Sequence, residues 1–125
     1  MAANTMFVTV GKQLVADYIH AGSACFIGWG DSATDPVAGD VGLNNALTES
    51  RVSAAESQPT ATTCRWVGTI TCTTPATVRE VGLFDGAGAG NPPSGAVLIL
   101  HSNNFTAIPV LATDTIEFTL DLVIT

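Results

Sequence analysis

In the run Thr115 to Ile124, Ile116, Phe118, Leu120, Leu122 and Ile124 alternate with Thr115, Glu117, Thr119 and Asp121. A period of two places the first set on one face of a β-strand and the second set on the other. Such a strand must bury one face, so the chain needs a second layer to cover it. The run Thr63 to Thr73 repeats the pattern, with Cys64, Trp66, Gly68, Ile70 and Cys72 on one face and Arg65, Val67, Thr69 and Thr71 on the other. Full burial of Trp66 or Ile70 is worth about 1.5–3 kcal/mol each.

Further strands are expected around these two. Thr5 to Val10 alternates and is β-branched, with Gly11 as its end, and Ala24 to Gly30 is apolar and aromatic. Arg51 to Glu56 is a weaker strand candidate, followed by a turn over Gln58 to Thr62. Thr77 to Asp85 (TVREVGLFD) and Ala96 to His101 flank a glycine and proline loop, which is a hairpin signature, with the loop as a flexible tip. After a turn at Ser102 to Asn104, Phe105 to Leu111 is extended around Pro109, which suits an edge. One helix is expected from Lys12, where Leu14, Val15, Tyr18 and Ile19 form an apolar stripe and Gly22 stands at the C-cap. Short strands with frequent turns and a single early helix predict a mainly β chain. The expected fold is an antiparallel β-sandwich with one short N-terminal α-helix, a single domain over residues 1–125.

Charged residues are 12% of the chain, about half the usual share, and hydrophobic residues are 46%. A surface so poor in charge is expected to be partly covered by neighbouring copies or partners. The net charge is −7 and the only basic residues are Lys12, Arg51, Arg65 and Arg79, which argues against nucleic acid as a partner. No apolar run is long enough for a membrane span, and the N-terminus lacks the order of a secretion signal, so synthesis and folding in a cytoplasm are expected. The cysteines Cys25, Cys64 and Cys72 are odd in number and have no metal-ligand spacing. Cys64 and Cys72 would lie roughly 26 Å apart on one strand, too far for a disulfide. Free buried thiols are expected.

Catalytic signals are lacking. Neither a GxSxG nor an HExxH motif occurs, and neither histidine stands at metal spacing from another ligand. His20 falls in the last turn of the expected helix, facing its negative end, and His101 reads as a satisfied strand-end residue. Asp31, Asp35 and Asp40 sit in a long loop whose spacing matches no EF-hand, so they read as turn formers and no metal is expected. Gly28 and Gly30 lack the third glycine and following helix of a phosphate-binding loop. No cofactor and no catalytic residue is expected.

Several segments together resemble small virion proteins of tailed bacteriophages, in particular the N-terminal module of tail-collar fibre proteins. They are LVADYIHAG, FIGWGDSATDP, the group Leu47, Glu49 and Arg51, the stretch Arg79-Glu80-Val81-Gly82-Leu83-Phe84-Asp85, and the ending FTAIPVLATDTIEFTLDLVI. The EVGLFD core is the specific part. The resemblance implies a non-enzymatic structural protein of the virion that works as a symmetric homo-oligomer or docks on other virion proteins. The sequence ends where a fibre shaft would follow in that family. A tail, collar or baseplate component is therefore expected, with a capsid decoration protein as the alternative and a carbohydrate-binding module as a further one. Arg79, Glu80, Glu49 and Arg51 are the candidate structural or interface residues. A Glu49–Arg51 ion pair, worth little if exposed, is one expectation, and Glu49 or a neighbouring subunit is the expected partner of Arg79.

Overall fold

The structure is a computed structural model that describes residues 5–22 and 24–125. It consists of α1 (Thr9–His20), β1 (Phe26–Gly30), β2 (Val52–Ser53), β3 (Ala55–Thr60), β4 (Thr63–Thr71), β5 (Ala76–Val78), β6 (Glu80–Phe84), β7 (Leu98–Ser102), β8 (Ile108–Val110) and β9 (Thr115–Val123). Among the described residues three sheets form, ordered β2-β1-β6-β7, β3-β4-β9 and β5-β8, and every strand pairing is antiparallel. The expected mainly β, sandwich-like architecture with one helix is present.

The two alternating runs pair with each other, from Thr63 opposite Val123 to Thr71 opposite Thr115. Their apolar faces meet the four-stranded sheet. Trp29 of β1 stands edge-on to Phe118 of β9 with centroids 6.3 Å apart, and Phe118 in turn contacts Phe105 at 6.0 Å. Trp66, Ile70, Cys64, Ile27 and Leu83 are essentially inaccessible within this core. All three cysteines are buried, and none is in a disulfide among the described residues.

Several boundaries differ from expectation. Thr5 to Val8 forms no strand, and α1 begins at Thr9, so Gly11 lies inside the helix. A short extended run with no neighbouring strand has nothing to satisfy its backbone, whereas Lys12 N–H bonds Val8 O at 3.0 Å and starts the helix. The buried face of α1 is also not the expected stripe. Ala16 is fully buried and Ile19 half-buried, while Leu14, Val15 and Tyr18 face outward. The helix approaches β4 closely enough for the Cys64 thiol to donate to Ala16 O at 3.3 Å, and only a small side chain fits at that approach. The C-cap is Ala21 in a right-handed conformation, not a left-handed Gly22.

The turn expected over Gln58 to Thr62 is tighter, because β3 runs to Thr60. The expected strand Thr77–Asp85 divides at Arg79 into β5, which pairs with β8, and β6, which lies between β1 and β7. The division lets Arg79 N–H bond Gly30 O at 2.9 Å while the chain passes from one sheet to another. The return strand starts at Leu98, since Ala96 has φ of 60° and cannot continue a ladder. Pro109 sits in the two-stranded pair opposite Thr77.

The helix face has a direct test. Ala16→Leu is expected to lower stability by about 1–3 kcal/mol through overpacking. Leu14→Ala is expected to stay within about 0.5 kcal/mol. Denaturant unfolding of both variants checks the assignment, and the opposite order would return the helix to its expected stripe.

Candidate functional site

Strand β6 carries the most specific stretch of the sequence and is buried at every position. Its first residue, Glu80, is fully buried and opposite Gly30 of β1. Glu80 Oε1 accepts from Asn44 N–H at 2.9 Å and Oε2 from Asn45 N–H at 2.8 Å. His101 Nε2 lies 2.9 Å from Glu80 Oε1, and His101 Nδ1 lies 2.8 Å from Asp40 Oδ2. The Asp40 carboxyl is held below its ordinary range first by Val37 N–H, at 2.9 Å, and next by the His101 ring. One buried carboxylate therefore ties residues 40–45 to β6 and β7. A Cβ on Gly30 would stand 2.6 Å from Glu80 Oε2 and 2.7 Å from Asn45 O, so the arrangement requires glycine there.

The other residues of Arg79–Asp85 have equally definite contacts. Arg79 pairs with Asp31, not with Glu49, because it leaves the sheet at the corner where β1 ends. Val81 and Leu83 fill the core. Gly82 allows close packing, since a Cβ there would lie 2.9 Å from Leu43 Cδ2 and 3.0 Å from Leu98 Cδ1. Phe84 lies beneath the Arg51 guanidinium, 3.5 Å from ring centroid to Cζ. Asp85 accepts from Val97 N–H at 2.7 Å and closes the base of the hairpin.

Arg51 and Glu49 form no ion pair with each other, because each is committed elsewhere. Arg51 donates to Gly86 O at 3.2 Å and Gly95 O at 2.8 Å, gathering both ends of the hairpin loop, and burial lowers its basicity. The loop expected as a flexible tip is held by these bonds and by the reciprocal Ala89–Ser94 backbone pair at 2.9 Å. Glu49 accepts from Trp29 Nε1–H at 2.9 Å, Thr73 N–H at 2.9 Å and Thr73 Oγ1–H at 2.7 Å. Burial alone would raise the Glu49 pKa, but the bonds from Thr73 and Trp29 outweigh it and bring it down to about 2.

Little free chemistry is left in this arrangement. Both nitrogens of His101 face carboxylates, so neither is open to take a proton from a substrate. A groove of about 270 Å³ beside His101 and Asp40 is otherwise lined by Pro36, Val37, Ala38, Leu98, Ile99 and Leu100. Burial raises the pKa of the Cys25, Cys64 and Cys72 thiols, which makes them poor nucleophiles. Asp35 accepts from Asn103 Nδ2–H at 2.9 Å, so the three loop aspartates each latch the loop to another segment, Asp31 through Arg79 and Asp40 through His101. Among the described residues no group of three or more His, Cys, Asp or Glu could hold a metal ion, and no helix is long and apolar enough to cross a membrane. His20 Nδ1 lies 3.2 Å from Glu56 Oε1, an ion-pair distance without hydrogen-bond geometry.

The sequence pointed to Arg79, Glu80, Glu49 and Arg51 but not to their partners. His101, Asp40, Trp29 and Thr73 come from distant segments, and only the polarity of His101 at the end of an apolar run hinted at a buried partner. Comparison with protein-family models, curated proteins and solved structures finds no match.

Two outcomes are expected. The Glu49 pKa is lower folded than its ordinary 4.5, so the stabilisation it gives is complete above about pH 4.5 and is lost as pH falls toward 2. Glu49→Gln should cost about 1–3 kcal/mol at neutral pH and flatten the melting profile across that window. Second, Glu80→Ala should cost about 3–5 kcal/mol by leaving buried donors unpaired. Arg79→Ala, which loses a partly exposed pair, should cost no more than about 1 kcal/mol. Equal costs in chemical denaturation would contradict this ranking.

Proposed function

We propose that this chain is a non-enzymatic structural or assembly protein of a tailed-bacteriophage virion, a small component of the tail, collar or baseplate that is made in the host cytoplasm and works beside other virion proteins as a symmetric oligomer. The observation that carries this reading is a row of apolar side chains facing water along the N-terminal segment and α1. Met6 is 81% exposed, Val10 72%, Leu14 52% and Tyr18 71%, with Phe7 and Val15 between them. Apolar surface gathered in this way belongs at a contact between proteins. The resemblance of Arg79–Asp85 to phage collar proteins supplies the class of assembly. In keeping with a building block, the polar groups of that stretch are spent on internal bonds.

Antibody labelling of purified particles in negative stain tests the proposal, and absence of the chain from mature virions would sink it. Copy number on a stained gel separates the subclasses: hundreds of copies on the head indicate a decoration protein, a few to a few dozen a tail component. Saturable glycan binding by the isolated chain would favour a carbohydrate-binding module instead. Replacing Leu14 and Tyr18 together with lysine should reduce incorporation at least about tenfold while leaving the melting temperature within a few degrees, since exposed positions contribute little to folding.

A further inference from the structure

Strand β9 is the edge of its sheet, paired on one side with β4. Ile124 N–H bonds Thr62 O at 2.8 Å on the β4 side. Hydrogen bonding in an antiparallel ladder alternates, so the even-numbered residues of β9 point their N–H and C=O groups at β4. Those of Thr115, Glu117, Thr119, Asp121 and Val123 point away from it, along the open side of the sandwich. β9 spans nine residues and contains no proline and no lysine, the usual protections of an open edge.

A groove of about 380 Å³ runs beside this edge; Val81, Phe105, Ile108, Ile116, Phe118 and Leu120 give its apolar lining, and Ser102, Asn104, Glu117 and Thr119 its polar one. Ile116, Leu120, Leu122 and Ile124 are only partly buried, because no further strand covers them. A strand added to β9 would place alternate side chains in this groove and the intervening ones on the outer face, level with Glu117 and Asp121. On that face Asp121 is neutralised by Arg65, through bonds of 2.8 and 2.9 Å, whereas no ion pair includes Glu117 among the described residues.

We infer that β9 is a strand-addition site for an extended segment of another protein, alternating apolar residues for the groove with basic or neutral polar residues opposite Glu117. A second copy of this chain fits poorly. Its own β9 would bring a second Glu117, again outside any ion pair among the described residues, onto the face that already holds one, and the chain carries a net charge of −7 with only four basic residues. Backbone bonds to the five outward-facing residues supply affinity, while the groove and Glu117 select the sequence. This site does not depend on the virion reading, since it lies on the opposite kind of element from the exposed helix.

The probe is a fluorescein-labelled nine-residue peptide in which valine alternates with lysine and threonine, measured by fluorescence polarisation. The control is a scrambled peptide of equal charge. The expected result is saturable binding of the alternating peptide only, weakened at least about tenfold by Thr119→Pro, which removes an outward N–H but no bond to β4. Glu117→Lys should weaken it by about threefold or more and favour a peptide with glutamate in place of lysine. Amide exchange in the unaltered chain gives an independent readout: the peptide should slow exchange at Glu117, Thr119 and Asp121 and leave Phe118 and Leu120 unchanged. The inference fails if the alternating peptide does not bind, if the scrambled one binds equally, or if the odd-numbered amides gain no protection. It also fails if the chain alone sediments as a dimer that Thr119→Pro dissolves, because the occupant is then a second copy.

Discussion

A carboxylate without accessible surface, Glu80, is the interaction on which the polar half of this structure depends. Removing a carboxylate from water costs several kcal/mol unless donors replace the solvent. Here two backbone amides from a connection outside the sheets and a histidine ring from β7 do so. The chain between β1 and β2 is long for a connection inside a compact domain. Its second half is positioned because Asn44 and Asn45 must solvate Glu80, and its first half because Asp40 reaches the other side of His101.

Glu49 and Arg51 repeat this principle on the other flank. Glu49 fastens the connection to the Trp29 indole and to the turn after β4, and Arg51 fastens the hairpin loop over Phe84. The apolar sandwich supplies the driving force for burial, while a few ionised groups select which loop conformation accompanies it. Three of the four basic residues are consumed in this way, Arg51 by the loop, Arg65 by Asp121 and Arg79 by Asp31. The low charge content thus serves internal positioning and leaves large areas of surface nearly neutral.

Legibility in the sequence followed the range of the forces involved. β4 and β9 were plain because alternation is local and one face of each is buried. The hairpin between β6 and β7 was plain because turn chemistry is also local. The division of one apparent strand into β5 and β6 was hidden, because Arg79 and Glu80 differ in what lies across from them and not in their own propensity. The orientation of α1 misled for a similar reason: its apolar stripe marks an outward face, and close approach to β4 made the small Ala16 the buried residue. The four candidate residues were visible because they fall in the segments that carry the resemblance. Their partners were not, since Trp29 to Glu49 and Glu80 to His101 are contacts set by the tertiary fold.

The pairing of β4 with β9 also bears on how the chain acquires its structure. Arg65 and Asp121 lie 56 positions apart, so the centre of the three-stranded sheet is completed by a segment that leaves the ribosome long after β4. Until then Trp66 and Ile70 have a layer to pack on but one side of their backbone lacks a mate. Topologies dominated by such distant pairings fold in milliseconds to seconds, slowly enough for an incomplete edge to meet other chains. Late arrival of β9 thus makes synthesis of this protein a race between closing its own sheet and being captured by a neighbour.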